Sequence, residues 1–315
     1  MIGDHVQPER ARYFRAMRSL ILPALFALPL TLSAQSAEPT LLWRIRRTPE
    51  ASPSYLYGTV HSKDERAFQF GDSVLPALDR CVVVAGELDL DRGRQGGTLM
   101  LTTMRLPGDQ RLEDFYKKRE WKRVHAAITD HMGLMAPMAA KLKPFFVILL
   151  LMENALDGGR PQVLDEYLQL RARENGRRVI GIETMAEQLA ALDAMTLKEQ
   201  AAMLLDHVDH DGYKKEMETM LDAYARQDLD GLFDAANAAG GMPATMEKAL
   251  LTDRNTRMVH RMDSIMGTGE TVFFLIGAAH LPKPQGLIQG LRNNGYVVEP
   301  VISAGWKPEP VEMGR

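Results

Sequence analysis

A single cysteine in 315 residues leaves no internal disulfide to form, so any fold here stands on its core alone. Cys81 lies in the apolar run CVVVAG and reads as a buried strand residue, not a catalytic thiol. Apolar runs of spanning length are also missing, since Leu20–Leu32 covers thirteen residues and Pro144–Met152 nine, against roughly twenty for a bilayer. There is no basic excess: 38 Lys and Arg face 41 Asp and Glu, giving a net charge of −3 with the charges dispersed, which argues against a nucleic-acid partner. The chain carries no HExxH, Gly-x-Ser-x-Gly, P-loop or dinucleotide fingerprint. Thermolysin-like, serine-hydrolase and nucleotide-binding readings therefore have no motif behind them.

What is present is a globular composition, 45% hydrophobic and 25% charged. The apolar run Leu20–Leu32 follows Arg10, Arg12, Arg15 and Arg18 and precedes the small residues Ser33 to Ala37, the pattern of a secretory signal peptide with cleavage near Ala37. Met17 starts a more ordinary signal than Met1; an uncleaved anchor is the alternative. Losing residues 1–37 removes four arginines and two acids, which takes the net charge from −3 to −5. The expectation is a periplasmic or secreted domain over residues 38–315, with no integral membrane span in the mature chain and ample length for a core without staples.

Periodicity predicts strands at Leu41–Arg47, Ser54–Val60, Cys81–Leu90, Arg177–Glu183, Thr271–Gly277 and Tyr296–Val301. The first two, separated by a Pro/Ser turn, are expected to pair. Helices precede the later strands, at Ser73–Asp79, Val163–Glu174 and Leu287–Asn293. That order predicts an α/β fold: a central mixed, largely parallel sheet with large helical insertions at about 109–175 and 185–264. The apolar PFFVILLLM (Pro144–Met152) reads as a buried helix core.

Two strands end in Gly-x-x-His, Gly58-Thr-Val-His61 and Gly277-Ala-Ala-His280, and ligands of open α/β sheets bind past such carboxyl ends. Glycine before each histidine leaves room for a neighbouring loop. Glu87 ends VVVAGE and Glu183 ends RVIGIE, and a carboxylate leaving a buried strand needs a partner. Two neutral imidazoles and a carboxylate make a facial set for a divalent metal that keeps positions open for water and substrate. The alternative is that the histidines cap strand ends while the glutamates pair with arginine or backbone donors. A shared ion would require both GxxH strands to lie close together with the same ends facing one space.

YGTVHS, VAGELDL, KPFFVILLLM, VLDEYL, VIGIETMAEQ, DRNTRM and FFLIGAAHL, in this order along residues 38–315, resemble the TraB/PrgY/GumN family. That family is related to the Tiki metal-dependent proteases and, more distantly, to ChaN-like and erythromycin-esterase-like proteins. The resemblance implies a metal site at His61, Glu87 and His280, with catalytic roles for Glu183, Arg254 and Asn255: Glu183 as base or extra ligand, Arg254 as the group that orients a substrate carboxylate or stabilises an oxyanion. It also implies a divalent cofactor (Mn, Co or Zn) and a peptide or small-molecule substrate, with a non-catalytic peptide-, signal- or haem-like-ligand binder as the alternative.

A rival cluster, Asp206 to Asp211 with His207 and His210, has a spacing that permits chelation but reads as the charged, solvent-facing end of a Thr196–His207 helix. His125 and His131 read as helix-surface residues. Met217, Met220, Met242, Met246, Met258, Met262 and Met266 fall at helical spacing and read as core filling.

Overall fold

The computed structural model describes residues 39–93, 101–153, 159–210, 213–238 and 244–303. The signal segment, its expected cleavage near Ala37 and Met242 lie outside the described residues. The expected strands are present, most of them trimmed at their ends: β1 (Leu42–Arg46), β2 (Ser54–Thr59), β3 (Val83–Gly86), β4 (Arg178–Gly181), β5 (Val272–Gly277) and β6 (Val297–Pro300). They form one sheet in the order β4-β3-β5-β2-β1-β6. The pairs β4–β3, β3–β5 and β5–β2 are parallel, whereas β1 runs antiparallel to both β2 and β6. The fold is thus α/β with a mixed, mostly parallel sheet, as the helix-to-strand order predicts.

Parallel strands need crossover connections, and helices supply them. The larger ones are α1 (Val74–Arg80), α2 (Lys118–Met132), α3 (Pro144–Glu153), α4 (Leu164–Glu174), α5 (Met185–Leu192), α6 (Leu197–Asp209), α7 (Tyr213–Ala225), α8 (Leu229–Ala238), α9 (Asp253–Met266) and α10 (Leu287–Asn293). Their starts are chemically encoded. Thr184 with Glu187 and Thr196 with Glu199 form reciprocal capping boxes at α5 and α6, each satisfying two backbone N–H groups that a helix start leaves open.

Every residue of β2 and β3 is buried, and only the last of β5 is not, so the central strands are covered on both faces and their sequences run apolar without alternation. Leu164, Leu168 and Ala172 of α4, Met258 and Met262 of α9, and Leu287 and Leu291 of α10 join that core. Met217 and Met246 are also buried, in keeping with methionine as core filler. Cys81 is fully buried, but it caps the C-terminus of α1 and precedes β3 instead of lying within a strand. Burial pushes its thiol up to about 12, which leaves no thiolate near neutral pH.

A second core in the insertions joins Val124 and Ile128 of α2, Val147 and Ile148 of α3, and Leu204 of α6. Each such buried aliphatic side chain contributes about 1.5–3 kcal/mol of transfer free energy. PFFVILLLM is a helix, as expected, but one flank faces solvent, with Leu149 43% exposed. The closing helix of the first insertion, α4, belongs to the sheet core, not to this second one. Among the described residues no helix is long and apolar enough to cross a membrane.

Candidate functional site

Because β2, β5, β3 and β4 are mutually parallel, their carboxyl ends share one edge. Thr59 pairs with Gly277, Gly86 with both Leu275 and Gly181. His61, His280, Glu87 and Glu183 each follow one of these ends within four residues. The turns also touch. A Cβ on Gly58 would stand 3.2 Å from the Ala278 Cβ, so the first GxxH glycine and the small residues of the second turn let the two loops approach.

His280 is 4% exposed, and its Nδ1 lies 2.6 Å from Asn255 Oδ1. The Asn255 amide donates its Nδ2–H to the Gln285 carbonyl at 2.8 Å, which fixes Oδ1 toward the imidazole. An amide oxygen only accepts, so Nδ1 carries the proton and Nε2 keeps a lone pair. That Nε2 faces Glu87 Oε1 at 3.9 Å. Glu87 Oε1 accepts from the Gly277 N–H at 2.8 Å, and Oε2 accepts from Arg254 Nη2 at 2.5 Å and Gln188 Nε2 at 3.1 Å.

Behind Glu87 sits an ion pair. Glu183, whose side chain is wholly buried, accepts from Arg254 Nε at 3.1 Å and Nη2 at 2.6 Å, and Gln188 Nε2 reaches the same carboxylate at 3.3 Å. Arg254 also donates from Nη1 to the Leu250 carbonyl at 3.2 Å. Leu250 lies in a π-helical stretch, Lys248–Thr252, that runs into α9, a distortion common where helices carry function. Arg254, Asn255, Met258, Val259 and Met262 form the buried stripe of α9, so its first turn delivers both polar residues to the strand ends.

His61 differs. Its side chain is 72% exposed and its Nδ1 stands 3.6 Å from Asp165 Oδ2 on α4. Asp165 Oδ1 accepts the Thr59 hydroxyl at 2.5 Å. Asp165, Gln188 and Thr59 belong to the site although residue-type reasoning singled out none of them. VLDEYL, which contains Asp165, and ETMAEQ, which ends at Gln188, are the segments that carried the signal.

The TraB/PrgY/gumN family model matches residues 41–300, the whole of this sheet with its insertions. The chain belongs to the TraB/PrgY/gumN family. It is similar to the "Metalloprotease TIKI homolog" of Nematostella vectensis, 23% identical over 332 residues that cover 86% of this chain and 68% of the relative. It is also similar to "Metalloprotease TIKI1" of Danio rerio (24% identical; 85% of this chain, 64% of the relative) and "Metalloprotease TIKI2" of Xenopus tropicalis (24%; 82% and 59%). The chain therefore spans from 59% to 68% of the length of these relatives. No solved structure matches. At such identity the likeness points to a metal-dependent, hydrolase-like family.

Electrostatics in this family member agree with a cation site in kind. Burial raises the Glu87 carboxyl, but the positive charge of His280 when it is protonated, Arg254 and the Gly277 N–H outweigh it and hold the group below its ordinary value, so it is ionised at neutral pH. Burial lowers His280, against the pull of Glu87, which keeps the imidazole neutral. The contact with Asp165 raises His61, with burial opposing and the charges of Asp165, Glu87 and Glu166 adding. A neutral Nε2 facing an ionised Oε1 is a pair of electron donors, and such a pair suits a divalent ion. Among the described residues no three His, Cys, Asp or Glu side chains are grouped closely enough to hold one. The His280–Glu87 pair fits such an ion in chemistry, and His61, 72% exposed, would have to turn inward to supply a third ligand.

The rival cluster lies elsewhere. His207, on α6, lines a cavity of about 330 Å³ with Asp130 and His131, and His210 Nε2 meets Glu216 Oε1 at 2.9 Å. His125 is exposed on α2.

Proposed function

We propose that this chain is an exported metal-dependent hydrolase, acting at a peptide amide or related ester bond, with His61, Glu87 and His280 as the residues that hold the ion. The observation that carries this reading is the His280 Nε2–Glu87 Oε1 pair at 3.9 Å, two donors at the ends of adjacent strands, each held from behind by other side chains. A divalent ion there, Mn, Co or Zn, would polarise a carbonyl and make water a usable nucleophile near neutral pH.

The chain's own groups have distinct tasks in this reading. Asn255 holds His280 in one tautomer. Glu87 supplies Oε1 while Arg254 and Gln188 hold its other oxygen. Glu183 would have to part from Arg254 to take up a proton, so its task is to anchor the guanidinium; Arg254 in turn directs Glu87 and places positive charge beside a developing oxyanion. The substrate would be a peptide or another small molecule.

A non-catalytic binder of a peptide, signal or haem-like ligand is the second reading, favoured by the exposure of His61 and by the engagement of Arg254. Metal analysis of protein purified without added metal, with hydrolysis assays before and after chelation, separates the two. Bound Mn, Co or Zn with chelator-sensitive turnover supports the hydrolase, and metal-free protein unaffected by chelation supports the binder. Export to the periplasm or medium with loss of about 37 residues is part of the proposal. Mass spectrometry that finds the intact N-terminus in membranes would overturn that part.

A further inference from the structure

The two GxxH histidines face matching partners. His280 Nδ1 meets Asn255 Oδ1 in the first turn of α9, and His61 Nδ1 faces Asp165 Oδ2 in the first turn of α4. The Asn255 contact is a closed hydrogen bond at 2.6 Å, whereas the Asp165 contact, at 3.6 Å, is about half an ångström or more beyond one. Asp165 Oδ2 is buried and has no hydrogen-bond partner, an expensive condition for a carboxylate oxygen.

Everything around this gap is fixed except the imidazole. The Thr59 hydroxyl clamps the other Asp165 oxygen at 2.5 Å, and the start of α4 favours negative charge in its first turn. The Ser62 N–H donates to the Val60 carbonyl at 2.8 Å across His61, and the Leu164 N–H donates to the Ser62 carbonyl at 3.1 Å, so the backbones bearing both residues are tied together. Ser62 is 1% exposed. The His61 ring faces solvent and is free to turn, and such a turn would bring its Nδ1 toward Asp165 Oδ2.

We propose that Asp165 is the positioning residue for His61: its Oδ2 accepts the Nδ1–H, fixes the tautomer and presents Nε2 toward the strand ends, as Asn255 does for His280. This inference rests on the metal-site reading for its purpose but not for its geometry. A carboxylate behind a ligating imidazole raises its donor strength and sets its orientation, and losing such a partner typically weakens metal binding 10–100-fold.

The test is the tautomer of His61, read by long-range ¹H–¹⁵N NMR at alkaline pH in wild-type protein and in Asp165→Leu. Leucine fills a similar space but offers no acceptor, so the ring would return to the Nε2–H tautomer that a free histidine side chain prefers in water. Expected are Nδ1–H in wild type, predominantly Nε2–H in D165L, a cooperative melt for both proteins, and cobalt(II) binding about 10–100-fold weaker in the variant. Wild-type His61 found as Nε2–H, or the same His61 tautomer in the two proteins, overturns the inference; the wild-type tautomer alone decides it if D165L does not fold. Equal cobalt(II) affinity in the two proteins also overturns it while leaving the metal reading intact. The expected tautomer switch in a wild-type protein that binds no cobalt(II) supports the positioning role and removes the metal reading.

Discussion

Arg254 Nη2 bonds both strand-end carboxylates, Glu183 at 2.6 Å and Glu87 at 2.5 Å, so one guanidinium from α9 joins the ends of β4 and β3. Glu183 is the more deeply buried, with no side-chain exposure against 24% for Glu87. Removing Arg254 leaves two carboxylates without the cation between them.

Arg254→Met should therefore destabilise the fold by about 3–5 kcal/mol, the usual cost of stripping a buried carboxylate of its cation. The double variant Glu183→Leu/Arg254→Met should cost less than the Arg254→Met single variant, because the wholly buried Glu183 carboxylate leaves together with its cation. Urea unfolding of both proteins checks this, and a double variant as unstable as the single one would count against the pairing as the source of the effect.

Asn255→Ala should strand the buried Nδ1–H of His280. A loss of about 1–3 kcal/mol is expected from the unsatisfied donor. If the metal reading holds, ion affinity should also fall about 10–100-fold as the imidazole loses its fixed tautomer. Denaturant melts of the metal-free protein give the first effect and titration with cobalt(II) the second.

Gly58→Ala places a methyl 3.1 Å from Leu281 Cδ2, 3.2 Å from Ala278 Cβ and 3.3 Å from Ala278 Cα. Leu281 can turn aside, but the backbone of the second GxxH turn must shift. The expected cost is about 1–3 kcal/mol, as for other overpacked cores, with the chemical shifts of His280 moving too. A neutral substitution with unmoved His280 signals would show that the loops have more slack than this contact implies.

Glu187 caps the N-terminus of α5 and pairs with Arg261 at 2.5 Å, which lowers its pKa to about 2 from an unperturbed value near 4.5. The largest cause is the hydrogen bond from Arg261, with the Thr184 cap adding. A lowered carboxyl contributes stability above its unfolded value and loses it as pH falls toward the folded one. Stability should thus decline from about pH 4.5 to pH 2, and Glu187→Ala should flatten that part of the curve. The pair is partly solvated, so the amplitude is on the order of 1 kcal/mol. Thermal melts across that range give the answer.

The sheet was legible because its strands are short apolar runs bounded by turn residues, and burial on both faces leaves little to confuse them. Strand order was less so. β5 lies between β2 and β3, although more than two hundred residues separate it from β2, and no local pattern encodes that insertion. The second core was only partly readable: an apolar run such as PFFVILLLM says that a helix is buried, but one of its partners, α6, begins only at Leu197, beyond two other helices.

The residue types at the strand ends came from the sequence alone, since a glycine, a histidine or a glutamate leaving an apolar strand is a local exception to the pattern around it. The partners of those residues were decided by tertiary structure. Asn255 sits behind His280 because a π-helical stretch and the buried stripe of α9 aim it there. Arg254 is engaged by two carboxylates instead of standing open, and Asp165 faces His61 because α4 begins beside the first GxxH turn. A hydrogen bond depends on distances of a few tenths of an ångström between residues that can be a hundred or more positions apart, and such distances are set by how helices settle on a sheet, not by the spacing of letters along the chain.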